Sequence, residues 1–426
     1  MFTKTMRNSK ENQKVVSMYS LLILALTLGV YTFGYSQNAA CNCSTDITYL
    51  NEKLRKTPAF KESKELYTKT YTRIFTQGKQ IDSKFECYYL LNKLALAIED
   101  RHLKIFGAKT EMSSAMMDDM LAVHAFKTSI ANTLYPKVEI NLDSLEQKLS
   151  ILILDAKEGI YYFGDAIKLG VYTNTNMTDY TMVVLESKIP IWERGTVLAR
   201  LIPYGDDYHR FIGGSLYSKR LITFGERIKK GMFLTYGFKK DTTAIDFSNS
   251  AKKEDTYRIK ELSSTLTYLN VGSFNSFYPQ LAEAEKFYKR IASELGTKEL
   301  VLDLRNNGGG GDRNSNVLFN LLKDIDKHKK IHVLVNHNTG SNAEQFAAKL
   351  KAWKNVTVYG DKTNGTITYE IKNGSYILPC SGYIAELTSK KHTQFIKYES
   401  KGLPPDVFLD YDRDWLVQVK ERIRSK

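Results

Sequence analysis

Several things are scarce or missing in this chain, and each absence removes a class of reading. Its four cysteines, Cys41, Cys43, Cys87 and Cys380, show no zinc-ligand spacing. No internal repeat and no low-complexity segment occurs, so repeat architectures and bulk disorder are set aside. The net charge is +14, yet no nucleic-acid motif accompanies the basic residues. Lys and Arg are scattered, apart from Lys219-Arg220 and residues 227–230, and read as solvated faces. Four glycines run from 308 to 311 without the trailing Gly-Lys-Ser/Thr of a phosphate loop. They also lack the Gly-x-Gly-x-x-Gly spacing ahead of a helix, which excludes the usual nucleotide cradles. Ser341 is not in a Gly-x-Ser-x-Gly elbow, because Asn342-Ala343 follow it. Proline is rare between residues 46 and 150, where only Pro58 and Pro136 occur.

What is present begins with a leader-like N-terminus. Lys4, Arg7, Lys10 and Lys14 precede an uncharged, mostly apolar stretch over residues 15–35. Small and polar residues follow over 34–40, the pattern of a secretory signal cleaved near 36–40. The apolar stretch, about 20 residues, also suits an uncleaved anchor helix. Lipidation at Cys41 is a third reading, to which Asn38 is a poor fit. All three export the remainder of the chain. Cys41 or Cys43 would meet Cys87 in an oxidising compartment. The alternative is small buried side chains plus a loose N-terminal thiol.

The rest divides by periodicity into three regions. Residues 38–150 carry apolar side chains at helical spacing, including Leu91, Leu94, Ala95 and Ile98. That helix ends in Glu99-Asp100-Arg101-His102 and turns into a strand. Residues 151–247 hold short β-prone runs separated by turns rich in Gly, Asn and Asp, which predicts a compact antiparallel β domain. Residues 248–426 alternate strands and helices, which predicts an α/β core with a mostly parallel sheet. Residues 1–37 are the leader or anchor.

Two stretches of the core concentrate chemistry. DLRNNGGGG (303–311) is a strand end running into glycines, and TGSNAE (339–344) is a strand end turning into a helix at Ser341. Ligands collect at the carboxyl ends of parallel strands. Glycines let the backbone come close and turn N–H groups inward. Ser341 is then a candidate nucleophile, with the Asn342 N–H and glycine N–H groups at Gly309 and Gly310 as oxyanion donors. The competing reading is that SNAE is a capping box and Ser341 only caps a helix.

In order along the chain, DLRNNGGG (303–310), TGSNAE (339–344), VYGDKTNG (358–365) and GLPPD (402–406) resemble the C-terminal processing, or tail-specific, serine peptidase family. The resemblance covers residues 266–406, with a weaker match at Asp100-Arg101-His102. It implies a ClpP/crotonase-like core with Ser341 as nucleophile, a protein or peptide substrate, and no metal or cofactor. Many members place a catalytic lysine where this chain has Thr366, which cannot take a proton from serine. Lys362 lies nearby at a different motif position. The tricorn-core-like branch uses histidine and glutamate instead, and the resemblance then points to His102 as base and Glu399 as its orienting carboxylate. Asn342 and Arg101 depart from that branch's pattern. His337, close to Ser341 in sequence, is the rival base. No PDZ-type carboxylate loop is legible in the β region. The expectation is an exported serine endopeptidase without nucleic-acid partners, touching the membrane only through its N-terminus. Its alternative is a peptidase-like peptide-binding protein with weak or no hydrolysis.

Overall fold

The structure, a computed structural model, describes residues 42–173, 178–205, 208–249, 256–295, 298–325, 328–372 and 374–425. The leader or anchor expected over 1–37 and Cys41 lie outside the described residues. Among the described residues, no helix is long and apolar enough to cross a membrane.

The first region opens with α1 (Cys43–Leu54), α2 (Phe60–Gly78) and α3 (Lys84–Leu96). Asn42 and Ser83 cap α1 and α3 by accepting from the N–H groups of Thr45 (3.2 Å) and Glu86 (3.3 Å). Ile47, Leu50 and Leu54 recur at helical spacing and are fully buried. A Cys43–Cys87 disulfide, Cα–Cα 5.5 Å, ties α1 to α3. Cys380 is also in a disulfide. The turn after α3 does become a strand, β1 (Lys104–Phe106), and α4 (Met120–Lys127) and α5 (Leu142–Ser150) follow.

The central region forms one antiparallel sheet in simple chain order among the described residues. Its strands are β2 (Gly159–Phe163), β3 (Ile167–Thr173), β4 (Tyr180–Ser187), β5 (Val197–Pro203), β6 (Tyr208–Gly214), β7 (Leu221–Lys229) and β8 (Met232–Phe233). β6 and β7 were not legible in sequence. β6 is buried along its whole length and so shows no alternation, while holding His209, Arg210 and two glycines. Aromatic contacts join sheet and helices: Tyr135 meets Trp192 at 5.1 Å and Phe85 at 5.6 Å.

The C-terminal core starts with β9 (Tyr257–Ser263) and β10 (Leu266–Val271), then α6 (Gln280–Ile291), β11 (Glu299–Asp303), α7 (Asp312–Lys323), β12 (Ile331–Val335), α8 (Asn342–Lys351) and β13 (Val356–Gly360). Four short strands follow, β14 (Tyr369–Glu370), β15 (Ser375–Ile377), β16 (Ile384–Glu386) and β17 (Lys390–Lys391). β14 pairs with β17, and the β15–β16 hairpin takes β1 as its third strand. After β18 (Val407–Phe408), α9 (Trp415–Arg424) ends the chain. The main sheet runs β18-β13-β12-β11-β10-β9, parallel except for the edge strand β9. Its inner strands are buried on both faces, as parallel strands flanked by helices must be. Leu300, Leu302, Val333 and Val335 face the cluster formed with α6, α7 and α8. Val301 and Leu334 face Trp415 and Val419 of α9. This period of two places the carboxyl ends of β11 and β12, and hence both motif loops, side by side.

Candidate active site

The DLRNNGG segment is fixed from below by charge. Asp303, fully buried, accepts from Arg305 Nε (3.0 Å to Oδ1) and Arg305 Nη2 (2.7 Å to Oδ2), and from the Tyr268 hydroxyl (2.7 Å). Burial without that fork would be costly for either charge. Asn307 then spans the loop: its Nδ2 donates to Val271 O (2.9 Å), and its Oδ1 accepts the Gly309 N–H (2.9 Å). Its carbonyl accepts the Gly340 N–H (2.9 Å), which ties the glycine loop to the serine turn.

Ser341 sits at φ 55°, ψ −125°, a backbone conformation that L-residues with side chains rarely adopt. Such strain costs about 1–3 kcal/mol and persists only where the surroundings enforce it. Here the enforcing group is Glu344, fully buried in the first turn of α8. Its Oε2 accepts from the N–H groups of Ser341 (3.0 Å) and Thr366 (2.9 Å) and from the Thr366 hydroxyl (3.1 Å). Its Oε1 accepts from the Gly365 N–H (2.6 Å) and the Thr363 hydroxyl (2.5 Å). Thr366 Oγ1 also receives the Ser341 N–H at 3.1 Å. Thr366 therefore buttresses the serine backbone. Burial raises the Glu344 carboxyl above the ordinary range, against the pull of its donors.

Around the serine, Gly309 and Gly310 take φ values of 96° and 146°. A Cβ on Gly309 would lie 2.8 Å from both Asn342 N and Ser341 Cβ, and one on Gly310 would lie 1.9 Å from Phe274 O. Only glycine permits this approach. The Gly309 N–H differs from expectation: it already donates to Asn307 Oδ1, so it is not an available oxyanion donor. The N–H groups of Gly310 and Asn342 carry no hydrogen bond among the described residues and stay available. Asn342 Nδ2 bonds Asp312 Oδ1 at 2.9 Å.

No hydrogen bond joins the expected base, His102, to Ser341 among the described residues. Its hydroxyl meets no basic side chain within hydrogen-bond reach among the described residues. The charges acting on the His102 ring are those of Lys104, Glu370 and His392. Its Nδ1 is buried and makes no hydrogen bond. Burial pushes its pKa down to about 3, a poor value for a general base. Glu399 does reach the serine turn's neighbourhood, but to hold backbone. It accepts from the N–H groups of Thr368 (2.7 Å), Ile367 (3.2 Å) and, at a long 3.5 Å, Arg101. Burial first, then the nearby Asp100 carboxyl, pushes Glu399 up to about 8. At neutral pH it is mostly protonated, which does not suit the expected role as anionic partner of an imidazolium. His337 is no substitute. It is buried under the electrostatic influence of Arg227, Asp361 and Lys229, with its pKa pushed down to about 3 by burial. Lys362 is exposed and lines a cavity with Tyr208 and Arg227.

Sequence reading missed Arg101 as a functional neighbour. Its guanidinium donates to Asn364 O (2.8 Å) and stacks over Tyr208 (4.0 Å) and Tyr204 (4.8 Å). Tyr208 Oη in turn donates to Thr363 O at 3.0 Å. The central sheet thus clamps the 363–366 turn that carries Thr366 against the serine. No local signal joins residues so far apart in sequence. Among the described residues, no cluster of His, Cys, Asp or Glu is disposed to hold a metal ion.

A serine held in a strained turn at a helix start, beside a glycine loop on a parallel sheet, defines a site of the acyl-transfer type. Residues 311–408 match the model for Peptidase family S41. The chain is similar to a protein of Staphylococcus epidermidis named "Probable CtpA-like serine protease", at 28% identity over 42% of this chain and 41% of the relative. A Staphylococcus aureus protein of the same name is 31% identical over 28% of this chain and 29% of its own length. The chain therefore spans well under half the length of these curated relatives. A solved putative peptidase from Parabacteroides merdae is similar at 15% identity and a TM-score of 0.42, over 90% of this chain and 96% of that one.

Proposed function

We propose that this chain is an exported serine endopeptidase that cleaves protein or peptide substrates through an acyl-enzyme on Ser341. The observation that carries the reading is the strained Ser341 backbone, locked by Glu344 and Thr366 next to a glycine loop. A serine that served only as a helix cap would have no need of φ 55°. In this reading the substrate carbonyl oxygen enters between the Gly310 and Asn342 N–H groups, and the tetrahedral oxyanion is stabilised there. His102 is the proton acceptor in this reading. Support for that role is the Arg101 N–H, one residue away, which already contacts Glu399. Export is supported by the leader pattern over 1–37 and by the Cys43–Cys87 disulfide.

A second reading, peptide binding without efficient hydrolysis, is favoured by one observation: the Ser341 hydroxyl lacks a basic partner while Thr366 fills the lysine position. Turnover of a fluorogenic peptide mixture by the wild-type chain, lost in Ser341→Ala and His102→Ala, is the outcome for the peptidase. Peptide binding by wild type with no turnover is the outcome for the second reading. Turnover that survives Ser341→Ala would remove the first.

A further inference from the structure

A cavity of about 470 Å³ lies beside the 363–366 turn. It opens between β6–β7 and the two chain segments that hold this turn. Tyr208, Arg227, Lys362, Lys397, Tyr398 and Lys401 line it. Its connection to the serine is short: Tyr208 Oη bonds Thr363 O, the Ser400 N–H bonds Gly365 O at 2.9 Å, and Thr366 Oγ1 accepts from the Ser341 N–H.

The charge of the cavity is one-sided. Lys362, Lys397 and Lys401 are exposed, and none makes an ion pair with a carboxylate among the described residues. Lys397 rests only over the Tyr398 ring, at 4.8 Å. On the floor, Arg227 is buried and bonds Asp361 at 2.8 Å. The same Asp361 Oδ2 takes Lys229 (3.1 Å) and the Tyr411 hydroxyl (2.5 Å), and Oδ1 takes the Lys362 N–H (2.7 Å), so this carboxylate is already engaged away from the rim ammonium groups. Like charges converging on a concave surface raise the local concentration of anions. Two tyrosine faces complete a lining in which the methylene groups of acidic side chains can pack while their carboxylates meet ammonium groups.

We propose that this cavity is a subsite for a run of Asp or Glu side chains in the bound peptide, several residues away from the bond presented to Ser341. Three separate lysines exceed what one carboxylate engages, which favours an acidic run over a lone C-terminal carboxylate. The proposal rests on the peptidase reading for where the peptide's other end lies, but it is tested without turnover.

The experiment uses the full chain carrying Ser341→Ala and three fluorescein-labelled peptides, two of them C-terminally amidated, read by anisotropy. One peptide carries a Glu/Asp run, its isostere carries Gln/Asn, and a third is neutral with a free C-terminal carboxylate. The acidic peptide binds at least about tenfold more tightly than the isostere, with each lysine contributing up to about fivefold. The difference shrinks as salt rises to about 0.15 M and the screening length falls to about 8 Å. Lys362→Ala/Lys397→Ala/Lys401→Ala abolishes the preference, whereas Lys64→Ala/Lys69→Ala on exposed α2 keeps it. Equal binding of acidic peptide and isostere, or a preference that survives the triple substitution, overturns the proposal. So does tighter binding of the free-carboxylate peptide. Fluorophosphonate labelling of wild-type Ser341 is scored separately, so failure of the subsite and failure of the peptidase reading are told apart.

Discussion

Glu344→Gln separates a structural account of the serine turn from a merely decorative one. The carboxylate accepts three backbone N–H groups, those of Ser341, Gly365 and Thr366, and two threonine hydroxyls. Glutamine keeps one acceptor oxygen and replaces the other with a donor. With its oxygen at the Oε2 position, the amide NH2 faces the Gly365 N–H. Turned round, it faces the N–H groups of Ser341 and Thr366. The first arrangement is less costly and still orphans one buried N–H, at about 1–3 kcal/mol, with the loss of charge-assisted bonding adding about 1 kcal/mol. Relief from burying a charged group offsets part of this, because burial already raises the Glu344 pKa. The net expectation is a loss of about 1–3 kcal/mol in urea unfolding, together with at least about tenfold slower fluorophosphonate labelling of Ser341. Ala at the same position would orphan all three N–H groups, a cost comparable to the stability of a whole domain, so Gln is the informative change. An unchanged unfolding midpoint together with an unchanged labelling rate would refute the claim that this carboxylate holds the nucleophile turn.

Other outcomes follow from the same geometry. Glu399 is pushed up to about 8, so the folded state holds its proton where the unfolded chain has released it. Stability from this group is therefore full below about pH 4.5 and lost as pH rises toward 8, by about 3–5 kcal/mol. Thermal melts of Glu399→Gln should lack that decline and exceed wild type at pH 9; parallel pH profiles would contradict the assignment. Gly309→Ala places a methyl group 2.8 Å from Asn342 N and from Ser341 Cβ, and should abolish labelling while circular dichroism stays native. Retained labelling would show that the glycine loop does not abut the nucleophile. Reducing the Cys43–Cys87 bond, with its sequence separation of 44, should cost about 3–4 kcal/mol in chemical unfolding. An unaltered midpoint would mean that the α1–α3 tie is not structural.

Much of the core was legible because its signals are local. Residues 331–335, apolar apart from His332, become β12, while Leu281, Ala284, Tyr288 and Ile291 keep helical spacing and bury one face of α6. The order of the four motifs located Ser341 and the glycine loop for the same reason. The edge of the site was not legible. Whether Gly309 offers its N–H depends on the rotamer of Asn307, and sequence carries no trace of that. The direction of the His102 ring depends on β1 pairing with β16, a contact between residues about 280 apart in the chain. Glu399 is pushed up to about 8. Its shift comes from burial and from Asp100, neither of which a spacing argument contains.

The central claim is that Ser341 is a poised nucleophile, and covalent capture tests it most directly. Wild-type chain and Ser341→Ala are treated with a fluorophosphonate and digested, and the adduct is mapped by mass spectrometry. The account predicts a single adduct on the peptide containing Ser341, absent from the Ala variant and slowed in Glu344→Gln. Absence of any adduct on wild type, or equal modification of both chains at another residue, would contradict it.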